Sequence, residues 1–458
     1  MAFSPFDCDL SKLTTSQLVQ LKDVAEGWYV EYKSALPSTR SIAKSISALA
    51  NSYGGWLFFG IQESSAGDRK PGSVPGIPTA DVAASEVLLR QAVAAHLSPA
   101  PYFELRSLRG PLSDMGLAEH HSVLVVQVPQ SSQAPHVHSD GRIYRRVADE
   151  SDPRPETDRH FLDLLFTRGK ERRKRIRRKT SSILPKGMPV DGASLVEITF
   201  LPVPWGERLP SKAVGFEAFA KLMRGDTYES GGLPFDTFFS QHDGYVARQA
   251  KANNPARPVL TWKYDHDGTS HVVLPLSTYG GEGSVPQLRQ WLRGYDQASN
   301  LTQLLTSEVL SSCSVIDLNM LHAVSWGVFR RLELLMEMGG LPFPMRMKIK
   351  LRGMGRRIPF LDVTRYGAFL EEYGVPIIHF DQASLPARGD FYEVGTDLAD
   401  LSPEVNTGVR AAKTTGFICE ALGLPLLEIF KSAEWFIDLD GALARAQKRQ
   451  DNGYNKLP

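Results

Sequence analysis

Three glutamates near the start of this 458-residue chain have side chains that could do chemistry together: Glu26, Glu31 and Glu63. Carboxylate oxygens are the ligands that hard divalent cations such as Mg²⁺ prefer in proteins. Gathered carboxylates are costly without a cation that offsets their combined charge. A cation held there could polarise a phosphodiester and orient an attacking water. The hypothesis is therefore a site for Mg²⁺ or Mn²⁺, and the alternative is a set of structural ion pairs.

Gly27 separates the first two glutamates, which allows them to lie on different elements. On one continuous helix, Glu26 and Glu31 would lie about 140° apart, at about 100° per residue. A short helix that ends at Gly27, followed by a strand over residues 28–33, removes this conflict. Lys33 shares a strand face with Glu31, where it could contact a scissile phosphate or form a simple ion pair.

The third glutamate follows a second predicted strand. A helix is predicted over residues 39–51 from its apolar spacing, with Ser38 or Thr39 as its cap. Two glycines then turn the chain into a strand over residues 56–61. If the two strands are neighbours, Glu63 converges with the other acids at one end of the sheet.

The residues around these acids follow a specific pattern. It begins with Glu26-x-x-x-x-Glu31-Tyr32-Lys33 and continues with Ala50-Asn51-x-x-Gly54-Gly55-x-Leu57-x-x-Gly60-Ile61-Gln62-Glu63. Farther along stand Gly76-Ile77, His96-Leu97-Ser98-Pro99 and Gly141-Arg142-Ile143-Tyr144-Arg145-Arg146-Val147. Taken in this order, the segments resemble the Schlafen AlbA-like domain over residues 15–150.

The resemblance implies a divalent-metal-dependent endoribonuclease that acts on structured RNA such as tRNA, in antiviral or stress defence. It assigns Glu26, Glu31 and Glu63 as catalytic metal ligands, with Lys33 assisting at the phosphate. Position 63 is commonly aspartate in the family, so the longer glutamate alters the expected metal geometry. Eukaryotic members pair two such lobes. The single recognisable copy here implies a homodimer or a diverged second lobe.

Two basic segments could bind a phosphate backbone. Nine of the twelve residues from Arg168 to Lys179 are basic, and residues 345–352 alternate apolar and basic side chains along one predicted strand. A solvated helix and an ordinary half-exposed strand are the alternatives. The predicted nucleic-acid-binding residues are Arg142, Arg145, Arg146, Arg168, Lys170, Arg172, Arg173, Lys174, Arg175, Arg346, Lys348, Lys350 and Arg352.

Composition favours a soluble cytoplasmic protein with no membrane partner. The chain is 42% hydrophobic and 22% charged, and its three cysteines lie far apart and match no zinc spacing. No signal peptide is visible, and no apolar stretch approaches the roughly 20 residues that span a bilayer. The net charge of +1 indicates no particular partner.

The patterns predict a mixed α/β (α+β) fold in two domains. Residues 1–166 form the Schlafen AlbA-like module, residues 167–190 a basic helix and linker, and residues 191–458 a second α/β domain that ends in helices. The rival to a nuclease is a non-catalytic nucleic-acid-binding or regulatory module. A third possibility makes the C-terminal half the effector and the N-terminal module its sensor.

Overall fold

The computed structural model divides the chain into two compact units, Met1–Ser181 and Ser182–Pro458. The residues that it describes are 3–64, 67–147, 152–181, 183–184, 193–206, 212–225, 233–250, 258–280, 283–341, 344–388, 390–395, 401–426 and 434–451. Both units mix helices with sheets, which confirms the predicted fold class. The division after Ser181 assigns the basic helix to the first unit. That helix continues without a break across residue 166, where the sequence analysis ends the first domain.

The first unit contains three α-helices among its described residues, together with short 3-10 helices and strands. The helices are α1 (Thr39–Asn51), α2 (Val82–His96) and α3 (Arg159–Lys179), with 3-10 turns at Leu10–Lys12, Thr15–Asp23, Thr79–Asp81 and Ser113–Met115. The strands are β1 (Val30–Lys33), β2 (Gly54–Phe59), β3 (Gln62–Glu63), β4 (Pro71–Ser73), β5 (Ile77–Pro78), β6 (Leu97–Ser98), β7 (Glu104–Arg109), β8 (His121–Pro129), β9 (Val137–His138), β10 (Tyr144–Arg145) and β11 (Arg154–Pro155).

The central sheet of this unit separates two apolar cores. Its strands follow the order β1-β2-β8-β5, with β7 also paired to β8, and β1 runs parallel to β2. Side chains of β2 alternate between the faces. Trp56 and Phe58 pack with the N-terminal segment, and Leu57 and Phe59 pack with α1 and α2. The predicted neighbourhood of the two strands is therefore confirmed.

Local signals placed α1 correctly. The helix spans the predicted residues 39–51, and the Ser38 side chain accepts a hydrogen bond from the backbone N–H of Ser41 at 3.3 Å. The short helix predicted before Gly27 is a 3-10 helix, Thr15–Asp23.

The second unit is built around a larger sheet. Its described helices are α4 (Phe216–Arg224), α5 (Val285–Trp291), α6 (Ala298–Leu304), α7 (Ser307–Ser312), α8 (Leu321–Gly339), α9 (Thr364–Tyr373), α10 (Pro403–Ala421) and α11 (Glu434–Asp451). Its described strands are β12 (Ser194–Pro202), β13 (Thr237–Gln241), β14 (Gly244–Arg248), β15 (Thr261–Asp265), β16 (Ser270–Tyr279), β17 (Ser314–Asp317), β18 (Met345–Arg352), β19 (Arg357–Phe360), β20 (Gln382–Leu385) and β21 (Tyr392–Val394).

The main path of that sheet is β13-β14-β15-β16-β12-β18-β20, with β21 on β18 and β17 joining β16 to β19. One sequence-based prediction was wrong here. The apolar spacing of residues 314–338 predicts one long helix, but β17 occupies the first four of these residues, and α8 begins at Leu321. Throughout the described part of the chain, no helix has both the length and the apolar character that crossing a bilayer requires.

Candidate functional site

The carboxylate of Glu31 is fully buried and balanced by an arginine. It projects from β1 towards α1, where Oε1 accepts a hydrogen bond from Ser45 Oγ at 2.8 Å. Its Oε2 accepts one from Nη1 of Arg146, also at 2.8 Å, and Arg146 is fully buried as well. Lys33 Nζ lies 3.2 Å from Oε1. Both oxygens of Glu31 therefore have partners, and a buried ion pair compensates the charge.

Arg146 also binds the backbone along the outer side of β1. Its Nε donates to the carbonyl of Gly27 at 2.8 Å, and Nη2 donates to the carbonyl of Val30 at 3.1 Å. The same Nη2 lies 3.6 Å from Oε1 of Glu26. Arg146 therefore lies between two of the predicted acids, inside the fold, whereas the sequence pattern predicted it on a nucleic-acid groove. Burial and these contacts leave none of its side chain at the surface.

Glu26 interacts with Glu63, and its surroundings disfavour its ionised form. Glu26 is 6% exposed, and its Oε1 accepts a hydrogen bond from the backbone N–H of Tyr32 at 2.9 Å. Burial, followed by a hydrogen bond with the carboxyl of Glu63, raises the pKa of Glu26 to about 8. The Tyr32 N–H and Arg146 oppose that rise. With a pKa of about 8, the protonated form of Glu26 predominates at neutral pH.

Only two of the three predicted acids, Glu26 and Glu63, have surroundings that suit a divalent cation. No group of three His, Cys, Asp or Glu side chains among the described residues is arranged to hold a metal ion. Arg146 supplies positive charge beside Glu31, and Oε2 of Glu26 has no hydrogen-bond donor in the described structure. Mg²⁺ is commonly held by one or two carboxylates together with substrate phosphates. Glu26 and Glu63 fit that role once Glu26 loses its proton. Metal binding by all three glutamates stays a prediction.

Lys33 is held in the same network and keeps its charge. Burial acts to lower the pKa of its ammonium group, but the carboxylates of Glu31 and Glu26 outweigh burial and raise the pKa. Part of the side chain remains accessible to solvent. Of the two roles predicted for Lys33, the structure contains the ion pair with Glu31, and a contact with phosphate stays a prediction.

Helix α3 displays most of its basic residues to solvent. Arg168 is half-buried and donates from Nη1 to the carbonyl of Asn51 at 3.2 Å, and burial lowers the pKa of its guanidinium. Arg172 is buried. The remaining predicted residues of this helix are exposed, and so are two further arginines: Lys170, Arg173, Lys174, Arg175, Arg177 and Arg178. A surface salt bridge of 3.5 Å joins Lys174 to Glu171.

The arginines that precede α3 differ among themselves. Arg142 is exposed, and its backbone N–H donates to Asp140. Arg145 is half-buried, pairs with Glu156 at 2.9 Å, and lies 4.7 Å from the centre of the Phe161 ring. Only Arg142 of the three arginines in this segment therefore presents a well-exposed side chain.

The basic residues of β18 are half-buried and largely engaged. The alternation is confirmed, because Met345, Met347, Ile349 and Leu351 are buried and the four basic side chains lie on the opposite face. Arg346 pairs with Glu393 at 3.2 Å, and Arg352 pairs with Glu197 at 2.6 Å. Lys348 lies 5.7 Å from the centre of the Phe391 ring, and burial lowers the pKa of Lys350. This face of β18 stays a predicted binding surface, and two of its four basic residues already form ion pairs.

Sequence reasoning missed the role of Arg146 as the partner of Glu31. The two residues lie 115 positions apart, so no local pattern links them. One signal was available: Tyr144 and Arg146 share a face of an alternating segment, and Tyr144 is buried. A buried arginine would then require an acid nearby.

Comparison with known proteins confirms the resemblance of the first unit. Residues 26–155 match the family model Schlafen, AlbA_2, from the first acid to beyond Arg146, which is less than a third of the chain. No curated protein matches the chain.

Two solved structures show low similarity. A crystal structure of a Corynebacterium diphtheriae protein is 16% identical over 31% of this chain and 28% of that chain, with a TM-score of 0.21. The solution structure of the N-terminal domain of a RecG-related protein from Nitrosomonas europaea, described as an ATP-dependent DNA helicase relative, is 20% identical. The similarity covers 32% of this chain and 97% of that chain, with a TM-score of 0.22. At these values neither similarity supports an assignment of function.

Proposed function

We propose that the first unit is a Schlafen-type nucleic-acid-binding module that uses α3 as its main binding surface. The observation that carries the proposal is the exposed row of six basic side chains on α3, with Glu171 as the one acid between Arg168 and Lys179. The family match of residues 26–155 supports a nucleic-acid-related function. An exposed surface of this charge is self-repulsive without a polyanion.

A phosphate backbone would relieve that repulsion. Each phosphate that a lysine or arginine neutralises releases condensed counterions, so affinity falls with salt by a slope of about 0.9 per contact. Contacts of this kind position a nucleic acid without reading its sequence. RNA, and structured RNA such as tRNA in particular, is the proposed partner because the Schlafen resemblance favours it; the basic residues alone do not distinguish RNA from DNA.

A metal-dependent endoribonuclease is the second candidate, and the meeting of Glu26 with Glu63 favours it. These two carboxylates would hold Mg²⁺ or Mn²⁺, and a bound ion would supply a Lewis acid at the phosphodiester. Glu26 must first release its proton, and its pKa of about 8 places that release in the mildly alkaline range. Lys33 keeps its positive charge and is partly accessible, which suits a contact with a substrate phosphate.

Binding is tested by fluorescence anisotropy with labelled tRNA and a DNA duplex at several salt concentrations. The variant Lys170→Gln/Arg173→Gln/Arg177→Gln removes three exposed charges from α3. The matched control Lys12→Gln/Lys22→Gln/Arg90→Gln removes three exposed charges elsewhere on the same unit. If the proposal is right, the α3 variant alone makes the fall of log affinity with log salt less steep. The slope should change by about 0.9 for each phosphate that is no longer neutralised. Equal behaviour of the two variants would overturn the proposal.

Cleavage is tested with the same tRNA in Mg²⁺, Mn²⁺ or EDTA between pH 7 and pH 9. Glu63→Gln is the informative variant because Glu63 is half-exposed and is not part of the buried pair with Arg146. If the second candidate is right, cleavage requires the metal, and its rate rises with pH as Glu26 ionises. Cleavage should disappear in the Glu63→Gln variant. Cleavage in EDTA or by the Glu63→Gln variant would refute this site. Binding without any cleavage would refute the nuclease and leave only the nucleic-acid-binding function.

A further inference from the structure

A cluster of aromatic side chains, which we call the aromatic patch, lies at the surface of the first unit. It consists of Phe3, Trp28, Tyr29 and Tyr53. Tyr53 is 48% exposed and Phe3 is 41% exposed, while the other two are half-buried. The centre of the Tyr53 ring lies 5.7 Å from that of Trp28 and 6.2 Å from that of Tyr29. Phe3 stacks on Tyr29 at 5.0 Å. Such exposure of several aromatic rings together marks an interaction site.

The family signature holds Tyr53 in this position. Tyr53 lies two residues after the end of α1, and Gly54 after it has a φ of 77°, which favours glycine. A Cβ on Gly55 would lie 2.3 Å from the carbonyl oxygen of Tyr29, so only glycine allows the two backbones to approach. The backbone N–H of Trp56 then donates to that same carbonyl at 2.6 Å. The backbone segments that carry Tyr29 and Tyr53 are therefore held close together.

Positive charge begins next to the aromatic patch. Nη1 of Arg168 donates to the carbonyl of Asn51, two residues before Tyr53. The Tyr53 phenol is close enough to raise the pKa of Arg168 against the lowering effect of burial. Arg168 lies on α3, whose exposed lysines and arginines continue along the same helix. Aromatic rings and a basic surface thus adjoin in one unit.

The geometry of Tyr53 leaves its ring available. Its ring plane is inclined by 74° to that of Trp28 and by 49° to that of Tyr29, so neither contact is a parallel stack. Proteins that bind single strands combine such rings, on which bases stack, with a basic groove that follows the backbone. In a duplex the base faces are already stacked on one another, so a ring has no face to bind.

We propose that the aromatic patch stacks unpaired bases of a single-stranded nucleic acid segment whose phosphates are held by Arg168 and the exposed face of α3. This inference rests on the proposed nucleic-acid-binding function and specifies which part of the nucleic acid the first unit recognises. A partner protein would also find apolar area here. The adjoining row of exposed positive charge favours a polyanion with exposed π-faces.

The test compares a labelled single-stranded RNA of 20 uridines with a blunt duplex of the same length, using the full chain (~20 nucleotides spans one or more sites of this kind). Tyr53→Leu keeps apolar volume but removes the ring, and Tyr53→Phe keeps the ring. Tyr373→Leu is the matched control, since Tyr373 is 69% exposed on α9. We expect Tyr53→Leu to weaken single-strand binding by about 5- to 100-fold. Tyr53→Phe, the control and all duplex affinities should match the wild type.

A second measurement needs no variant. Ultraviolet cross-linking of the wild-type protein to the single strand should attach bases to the peptides that contain Trp28 or Tyr53. Cross-links confined to other peptides would overturn the inference, and so would an equal loss of single-strand and duplex binding in Tyr53→Leu. If the wild type binds neither nucleic acid, the proposed function itself fails. If it binds both and Tyr53→Leu binds the single strand as tightly as the wild type, only the role of the aromatic patch fails.

Discussion

Two groups of arginines in the first unit occupy opposite environments. Arg146 is fully buried, binds Glu31 and the backbone of β1, and lies near Glu26. Arg173 and Arg177 on α3 are exposed in a region that is almost free of acids. Removing the partner of a buried charge leaves the other charge uncompensated, whereas removing an exposed charge changes little in the folded protein.

This difference shows that residue type alone does not assign a role to an arginine. The sequence placed Arg146 and the α3 residues in one class because all are basic and follow a family-like segment. The structure separates them into one arginine that stabilises the fold and several that are available to a polyanion. Substitutions in the two groups should therefore differ in the sign and size of their effects on stability and on nucleic-acid binding.

The largest effect is expected for Arg146→Met. The change leaves Glu31 buried without its cation, so the free energy of unfolding should fall by about 3–5 kcal/mol. Urea unfolding, with hydrogen exchange in peptides from β1 as a local readout, measures the loss. Arg142→Met is the control, because Arg142 is exposed. A loss below about 1 kcal/mol would mean that the buried pair is not needed for stability.

A pH effect of a few kcal/mol is expected from Glu26. Its pKa rises from 4.5 to about 8 on folding, so the folded protein holds a proton that the unfolded chain releases in this window. The free energy of unfolding should therefore fall as the pH rises from about 5 to about 8, by about 1.4 kcal/mol for each pH unit. Glu26→Gln should flatten this dependence, and Glu119→Gln, at an exposed position, should not. Thermal unfolding across this pH range measures the dependence. A wild-type stability that does not change with pH would contradict the raised pKa of Glu26.

Removing two arginines from α3 should change the free energy of unfolding with the opposite sign. Arg173 and Arg177 are four residues apart on an exposed helix face, and like charges at that spacing repel. Arg173→Gln/Arg177→Gln should raise stability by about 0.2–0.5 kcal/mol while it weakens nucleic-acid binding. Denaturant unfolding and anisotropy on the same preparations measure both quantities. A fall in stability would mean that these arginines stabilise the fold, as Arg146 does.

The smallest effect is expected from β18. Arg346 and Arg352 already pair with Glu393 and Glu197, so neither is fully available to a phosphate. Arg346→Gln/Lys348→Gln should change the free energy of nucleic-acid binding by less than about 0.5 kcal/mol. Titration beside the α3 variant gives the comparison. A loss as large as that of the α3 variant would establish this strand as a second binding surface.

Local patterns predicted the parts of the fold that depend on neighbouring residues. Helix α1 was placed correctly because Ser38 caps its start and its apolar side chains repeat at helical spacing. The strand β17 was missed because Val315 and Ile316 suit either element. What makes them a strand is pairing with Ile358 and Pro359, more than 40 positions away.

The same limit applies to the acidic site. The spacing of Glu26, Glu31 and Glu63 predicted that separate elements would bring acids together, and Glu26 does meet Glu63. It carried no information on which charge would be neutralised by a proton and which by Arg146. That outcome depends on burial and on a segment from the far end of the first unit. The aromatic patch was missed for a related reason, since Trp28 and Tyr53 meet only after β1 and β2 pair.

The contacts along the outer side of β1 have a consequence for self-association. This strand lies at the margin of the central sheet, where free backbone groups would invite pairing with a strand from another molecule. The carbonyl of Val30 accepts from Arg146, and the N–H of Tyr32 donates to Glu26. Side chains therefore bind two backbone groups on the outer side of β1 that a further strand could otherwise use. The same contacts should disfavour pairing of this strand with another molecule.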